Sequence, residues 1–457
     1  SRGVWEGSLN FSRRFLHLYG MRNLWMILAL GILTGCGVHR AVVSSGDRGL
    51  AKVVNDSEGL RGHDFGLALY DPDSDQWLYQ RQSDQYFTPA SNTKILTLCT
   101  ALMCLGDSTT ALYYAQRGDT LYFWGAADPS LLFEPIPGAS RALQILQEHD
   151  GPLYYAPRYE TDKFGPGWSW ADYQYAYQVE RSEMPLYGNR IDLRIGAPDS
   201  DLEVNPPYFS QYITVNPGAP YSIERLPFAN AFEINPDRIR RFPWERAVPF
   251  SVDDYLLMEL LRDTLGRQVD LAYGFDHPDE PESITGVPLD TLYRRLMQQS
   301  DNFIAEQLLL QSALTARDTF SAEAMIAWMQ DSVFRQLPDS LQWFDGSGLS
   351  RYNLFTPRSV VRVLEQLLDE RGMPFVQEIF PAGGVSGTIA SWYGGADGPF
   401  VWAKTGTLRN KHCLSGFVRT RSGRTLIFSF MHQNYIGSSS RAKEEMEVIL
   451  NYIHDRF

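Results

Sequence analysis

The chain has 457 residues, 44% of them hydrophobic and 13% aromatic, which suffices for the packed cores of about two or three domains and excludes an intrinsically disordered protein. Its 41 Lys and Arg residues stand against 54 Asp and Glu, a formal net charge of −13, and no basic stretch with interleaved aromatics occurs, so we expect no nucleic-acid partner. The sequence also lacks HExxH, paired CxxC, GxxxxGK and GxGxxG motifs, so we predict neither a metal site nor a nucleotide cofactor.

The first predicted element is a targeting segment. Met21 and Arg22 precede the apolar stretch LWMILALGI and the tetrapeptide LTGC at residues 33–36. About ten apolar residues are too few to span a bilayer, which takes about 20, but they suit the h-region of an export signal. LTGC resembles the bacterial lipobox, in which cleavage leaves a lipid-modified cysteine, here Cys36, as the new N-terminus. A short buried helix with a chance cysteine is the alternative.

We therefore expect residues 1–35 to comprise residues upstream of the true start and a lipoprotein signal peptide. Cys36 would then anchor the mature chain to a bacterial membrane, on the periplasmic side. The outer membrane is favoured, because Gly37 does not resemble the signal that retains lipoproteins in the inner membrane.

Further elements divide the rest of the chain. Residues 36–60 predict a tether and a first helix, and FGLALYDPDSDQWLYQR predicts two strands that precede a helix from Ala90 to about Gly106. From 107 to 286, short aromatic runs alternate with PG, GPG, NPP and NPG turns, which predicts an inserted β-rich domain. Two helical segments, three strands and a closing helix follow. Residues 61–106 and 287–457 should therefore form one α+β body, an antiparallel sheet covered by helices.

A serine and a lysine lie three residues apart in TPASNTKILT, residues 88–97. Residues at this spacing share a helix face, so the amine of Lys94 could touch the hydroxyl of Ser91. The pattern alone is weak evidence, because Ser440 precedes Lys443 at the same spacing, where we expect only an exposed helix start.

Two more motifs follow in a fixed order. SDN at residues 300–302 opens a predicted helix, and KTG at residues 404–406 lies on a predicted strand. An SxN pattern is common by chance, whereas KTG is rare in a chain with only six lysines. SxxK on a helix, SxN at the head of another and KTG on a strand form the triple of penicillin-interacting serine enzymes.

The sequence around this triple resembles the D-Ala-D-Ala carboxypeptidase/endopeptidase family, the low-molecular-mass class C penicillin-binding proteins. Matching stretches span nearly the whole mature chain: FTPASNTKILT, GAADPSL, FGPGWSWADY, QQSDNFIAEQLL, FDGSGLSRYN, AGGVSGTI and AKTGTL. The resemblance implies an α+β, transpeptidase/β-lactamase-like fold, a helix/antiparallel sheet/helix sandwich with a large β-rich inserted domain. Two departures lie outside the triple: Ala126 and Ala127 replace the usual glycines, and the arginine that many members have near Trp392 is missing.

The resemblance also implies catalytic roles. Ser91 would be the nucleophile, and Lys94 its base, since no histidine falls in a recognisable triad context. Burial and a second cation, Lys404, would favour the neutral form of Lys94 by lowering its pKa. Ser300 would relay a proton to the departing amine, and Asn302 would orient Lys94 and the substrate backbone.

Substrate binding is expected along the KTG strand. The hydroxyls of Thr405 and Thr407, on either side of Gly406, would bind the carboxylate that ends a D-Ala-D-Ala stem peptide. The backbone N–H groups of Ser91 and Thr407 would form the oxyanion hole. The DGSG segment at residues 345–348 is more typical of a turn than of a catalytic group, although the family places it near the site.

We therefore predict an exported, lipid-anchored serine-type D-alanyl-D-alanine carboxypeptidase/endopeptidase that acts on peptidoglycan stem peptides and binds β-lactam antibiotics, without a cofactor. One alternative is a serine β-lactamase or esterase on the same scaffold, which turnover of antibiotics would indicate. Another is a catalytically idle cell-wall-binding lipoprotein, which failure to label with penicillin would indicate.

Overall fold

The computed structural model describes residues 47–136 and 140–457, so the predicted export signal and Cys36 lie outside the described residues. The strands are β1 (Asp64–Asp71), β2 (Gln76–Arg81), β3 (Ser108–Arg117), β4 (Thr120–Gly125), β5 (Leu153–Tyr155), β6 (Arg190–Ile195), β7 (Glu203–Asn205), β8 (Ile213–Val215), β9 (Ile223–Arg225), β10 (Phe232–Ile234), β11 (Trp244–Pro249), β12 (Asp270–Leu271), β13 (Glu282–Pro288), β14 (Gly394–Gly395), β15 (Gly398–Pro399), β16 (Val401–Leu408), β17 (Lys411–Arg419) and β18 (Thr425–Gln433). The α-helices are α1 (Arg48–Asp56), α2 (Lys94–Cys104), α3 (Ser140–Glu148), α4 (Asp254–Leu265), α5 (Leu289–Gln298), α6 (Asn302–Arg317), α7 (Ala322–Asp331), α8 (Pro357–Ile379) and α9 (Ser440–Arg456).

A five-stranded antiparallel sheet organises the part of the fold that carries the motifs. Its strand order is β16-β17-β18-β1-β2. The first strand of the chain, β1, therefore pairs with the last, β18, inside the sheet. β16, which contains the KTG motif, is one of the two edge strands of this sheet. β1 and β18 are almost entirely buried because helices cover both faces of the sheet.

Side chains of the sheet alternate between two apolar cores. On β18, Ile427 and Met431 pack with helices α2 and α5–α8, whereas Leu426, Phe428 and Phe430 pack with α1 and α9. This period of two is what a sheet between two helical layers requires. The helix/antiparallel sheet/helix architecture predicted from the sequence is confirmed.

A separate core gathers side chains from residues 111–284 and supports a second, mixed five-stranded sheet of order β12-β5-β4-β3-β13. Two three-stranded sheets, β11-β6-β7 and β8-β10-β9, lie in the same stretch of chain. This stretch is β-rich, as predicted, but it also contains helices α3 and α4. α4 has an Asp253 N-cap that accepts from Leu256 N, and it ends at the left-handed Gly266. The domain limits given above remain a prediction.

None of the helices in the described ranges is both long enough and apolar enough to cross a membrane.

Candidate active site

Ser91 lies on a turn that enters the central helix. The prediction placed it inside an α-helix, but Ala90–Thr93 forms a tighter 3₁₀ turn, and α2 begins only at Lys94. The turn starts with Ala90 at a φ of 48°, a left-handed conformation that costs free energy in a residue other than glycine. Such strain is typical of residues held in place for function.

Two glycines allow other segments to approach this turn closely. A Cβ on Gly348, whose φ is +86°, would overlap the carbonyl oxygen of Ala90, and a Cβ on Gly406 would overlap that of Pro89. Asn92 ties the turn to the KTG strand, because its Nδ2 donates to the Lys404 carbonyl at 2.9 Å. Ser91 is thus held between the DGSG loop and β16.

Lys94 is fully buried and contacts three oxygen atoms. Its Nζ lies 3.1 Å from Ser91 Oγ, 2.5 Å from Asn302 Oδ1 and 2.6 Å from the Ser347 carbonyl oxygen. Burial lowers the pKa of Lys94 to about 8, although the carboxylates of Asp345, Glu306 and Asp301 act in the opposite direction.

These contacts suit a neutral amine. Asn302 Oδ1 and the Ser347 carbonyl can only accept, so they take the two N–H bonds of the amine. The remaining lone pair then faces Ser91 Oγ, whose hydroxyl can donate to it. The arrangement therefore lets Lys94 take the proton of Ser91, as a general base must.

The SDN motif brings a second serine and an amide to the same place. Asp301 caps α6 by accepting from Ile304 N, and it also accepts from Arg295 Nε at 2.8 Å. Its role is therefore to stabilise the start of the helix. Ser300 precedes it with a φ of 59°, and Asn302 Nδ2 donates to the Tyr177 carbonyl at 2.8 Å. The flanking Ser300 and Asn302 are thus left to face the site.

Lys404 is the second fully buried lysine. Its Nζ donates to Ser300 Oγ and to the Thr405 carbonyl, both at 2.8 Å. Burial lowers the pKa of Lys404 well below its usual range, and the neighbouring Lys94 lowers it further.

The threonines of the KTG strand reach the site from the sheet edge. Thr405 Oγ1 lies 2.7 Å from Thr388 Oγ1, in the GTI segment, and Thr407 Oγ1 lies 2.9 Å from His412 Nδ1 on β17. Thr407 is exposed to the cavity beside Ser91. The structure thus brings Ser91, Lys94, Ser300, Asn302, Lys404, Thr405, Gly406 and Thr407 together.

The DGSG loop contributes more than a turn. The Asp345 carboxylate accepts from the backbone N–H groups of Gly348 and Ser350 and from Trp168 Nε1, at 2.8 to 3.0 Å. These bonds fix the loop whose Ser347 carbonyl contacts Lys94. Trp168 belongs to the predicted insert, so the insert helps to hold the site.

A buried ion pair connects the insert to α6. Arg181 donates to Glu306 Oε2 from Nε at 2.9 Å and from Nη2 at 2.5 Å, with both side chains almost fully buried. The other oxygen, Oε1, accepts from Ser347 N at 2.7 Å. This pair was not predicted from the sequence, because the partners are 125 residues apart and Arg181 belongs to none of the matching stretches.

A cavity of about 970 Å³ opens beside Ser91. Residues from both parts of the chain line it, among them Ser91, Ser169, Asp172, Tyr177, Ser300, Asn302, Arg351, Thr407 and Arg409. In the part of the chain that the structure describes, no group of three or more His, Cys, Asp and Glu side chains is placed to hold a metal ion.

The second SxxK pattern has no such surroundings. Ser440 is an exposed residue at the start of α9, where its Oγ lies 2.9 Å from Ser438 Oγ. Lys443 lies over the Trp392 ring, 5.4 Å from its centre. This is the exposed helix start that the sequence predicts.

Two D-alanyl-D-alanine carboxypeptidases have sequences similar to this chain. D-alanyl-D-alanine carboxypeptidase DacB of Haemophilus influenzae is 30% identical over 173 residues, which is 36% of this chain and 36% of that protein. D-alanyl-D-alanine carboxypeptidase of Actinomadura sp. (strain R39) is 26% identical over 441 residues, covering 86% of this chain and 82% of the relative. The alignment with the first relative thus covers little more than a third of its length, and that with the second covers most of it.

The fold also matches a solved structure. Penicillin binding protein 4 (dacB) from Haemophilus influenzae superposes with a TM-score of 0.71 at 19% identity, covering 88% of this chain and 99% of that one. At this identity the match establishes the fold. The profile of the D-Ala-D-Ala carboxypeptidase 3 (S13) family matches residues 47–216 and 277–453, most of the chain. The chain belongs to the D-Ala-D-Ala carboxypeptidase 3 (S13) family of peptidases, as its motifs predicted.

Proposed function

We propose that the protein is a serine-type D-alanyl-D-alanine carboxypeptidase/endopeptidase that cuts peptidoglycan stem peptides through an acyl-enzyme on Ser91. The observation that carries the proposal is the buried Lys94 amine, 3.1 Å from Ser91 Oγ and with a pKa lowered to about 8. Membership of the family supports the substrate class. A structure of the Haemophilus influenzae protein complexed with a novel β-lactam supports β-lactams as ligands of this site.

Acylation would begin when the neutral amine of Lys94 takes the hydroxyl proton of Ser91 and Oγ attacks the carbonyl carbon of the penultimate D-Ala. The N–H groups of Ser91 and Thr407 would stabilise the oxyanion, each contributing about 10²- to 10³-fold to the rate. As the C–N bond breaks, the terminal D-Ala leaves as an amine and takes up that proton, relayed through Ser300 Oγ.

Deacylation would restore the enzyme. Water attacks the ester carbonyl, passes a proton to Lys94, and the bond to Ser91 Oγ breaks as the hydroxyl is regenerated. The stem peptide leaves one D-Ala shorter. In the endopeptidase reaction, the departing amine belongs to the cross-linked stem instead of to free D-Ala.

The position of Glu306 argues against a fast β-lactamase. This carboxylate lies close enough to Lys94 to affect its pKa, yet Arg181 holds one of its oxygens and Ser347 N the other. A carboxylate with both oxygens engaged is poorly placed to activate a hydrolytic water. We therefore expect a long-lived penicilloyl-enzyme.

Recognition of the terminal carboxylate tests the proposal. A monomeric stem peptide ending in D-Ala-D-Ala acid should be cleaved faster than its amide by about 10- to 150-fold, the effect of one charged hydrogen bond of roughly 1.5 to 3 kcal/mol. Thr405→Val should narrow this gap by slowing cleavage of the acid, measured as D-Ala or D-Ala amide released. Equal rates for acid and amide in the wild type would favour an esterase on the same scaffold.

We also propose that the chain is exported to the periplasm and held at a membrane, the outer one by preference, by lipid on Cys36, a proposal that rests on the LTGC sequence. In cells that express the whole precursor, Cys36→Ser should prevent lipid attachment and leave an unprocessed or soluble product. The measurement is detergent partitioning, and Cys104→Ser, a half-buried thiol in α2, is the matched control. Partitioning that Cys36→Ser leaves unchanged would contradict the anchor.

A further inference from the structure

Thr407, His412 and His432 form a row across the first sheet. Thr407 on β16 is the cross-strand neighbour of His412 on β17, and His412 is the neighbour of His432 on β18. Both histidines are buried, and His412 Nδ1 lies 2.9 Å from Thr407 Oγ1. The proposed mechanism uses Thr407 but gives no role to His412.

The direction of this hydrogen bond determines what Thr407 presents to the cavity. If His412 donates from Nδ1, the threonine oxygen accepts, and the hydroxyl proton is free to bond an anion. If Thr407 donates instead, its lone pairs face the cavity and repel a carboxylate. The two arrangements correspond to the two neutral tautomers of His412.

The surroundings of the ring favour the first arrangement. Among the described residues, the buried Nε2 of His412 has no hydrogen-bond partner. A neutral ring carries one N–H, and a buried N–H without an acceptor costs more than a bare lone pair. The ring remains neutral because burial lowers the pKa of His412 to about 3, with Lys443 and His432 lowering it further. The proton therefore belongs on Nδ1.

We propose that His412 is a positioning residue that donates Nδ1–H to Thr407 and thereby fixes the threonine hydroxyl as a donor to the terminal carboxylate of the substrate. This inference rests on the proposed function, because the carboxylate is that of a D-Ala-D-Ala stem. His412 itself does not touch the substrate. Its effect should therefore appear as selectivity for acid over amide.

The tautomer can be measured without a substrate. In protein labelled with ¹⁵N-histidine, two-bond correlations should show His412 protonated at Nδ1 and bare at Nε2, with its signals identified by their loss in His412→Asn. A ring protonated at Nε2 would overturn the inference. The spectrum decides this even if the protein hydrolyses no stem peptide, which would be a failure of the proposed function alone.

Kinetics then test the consequence. His412→Phe, which keeps the ring shape, should lower kcat/KM for the acid substrate by about 10-fold and change that for the amide by less than about twofold. His412→Asn places an amide N–H near the position of Nδ1 and should restore most of the loss, whereas His412→Gln, which places it near Nε2, should not. His432→Asn, one strand away, is the control and should leave the acid-to-amide ratio unchanged.

A merely structural role would give a different pattern. Equal losses on acid and amide in His412→Phe, or rescue by Gln as complete as by Asn, would refute the inference. If the wild type released no D-Ala from either substrate, the proposed function would fail. The tautomer measurement would still show whether His412 donates Nδ1–H to Thr407.

Discussion

Replacing Ser91 with alanine should abolish covalent labelling by fluorescent penicillin and reduce release of D-Ala by at least about 10⁴-fold, the scale expected when a covalent nucleophile is removed. Without Oγ no acyl-enzyme can form, whatever the state of Lys94. Labelling is read by fluorescence after denaturing electrophoresis, and peptide mapping should place the label within residues 88–97.

Ser440→Ala is the matched control, because Ser440 also precedes a lysine by three residues. We expect wild-type labelling of this variant, since Ser440 is exposed at a helix start and Lys443 contacts Trp392. Label recovered in residues 438–443, or full labelling of Ser91→Ala, would contradict the assignment of the nucleophile.

The SxxK, SxN and KTG motifs could be recognised from the sequence because each motif is local and their order along the chain is informative. The strand bearing Lys404 and the helix that follows Ser300 could be predicted from alternation and helical periodicity. The 3₁₀ turn at Ser91 could not, because Gly348 and Gly406 pack against it from distant segments. Tertiary contact, not local preference, determines that turn.

Other features were missed although the sequence carried a signal. His412 follows Thr407 across a short turn, so pairing β16 with β17 in register would have placed the two side by side. Likewise, DYLLMELLRDTL, between an N-cap aspartate and a glycine, has the pattern of a helix, which α4 confirms. Aromatic runs and turns around the α4 segment favoured strands in the prediction for residues 107–286.

The Arg181–Glu306 pair, by contrast, carried no signal. Its partners meet only because the predicted insert folds back onto α6, and a buried pair of this kind is recognised from the fold and not from spacing. Trp168 and Asp345 lie in stretches that match the family, but the hydrogen bond between them is likewise seen only in the fold. The contacts around Lys94, which we propose as the base, thus depend on segments outside the three motifs.

The pH dependence of acylation tests that geometry most directly. With a pKa of about 8, about one Lys94 amine in ten is neutral at pH 7, against about one in 3,000 for an ordinary lysine of pKa 10.5. The neutral form is the base, so the acylation rate should rise about tenfold per pH unit below 8 and level off above it. Stopped-flow labelling with a fluorescent penicillin measures this profile.

Removing the amine should remove the profile. Lys94→Met keeps the length and apolar stem of the side chain. It should slow acylation by about 10²- to 10⁴-fold, the usual contribution of a general base, and the rise of the acylation rate with pH below 8 should disappear. Lys94→Arg, which stays charged at every accessible pH, should be as slow. Lys443→Met, in the second SxxK pattern, should retain the wild-type rate and profile. If the acylation rate of the wild type levelled off only near pH 10, burial would not lower the pKa of Lys94 enough for it to act as the base. Rapid acylation of Lys94→Met would show that another group is the base.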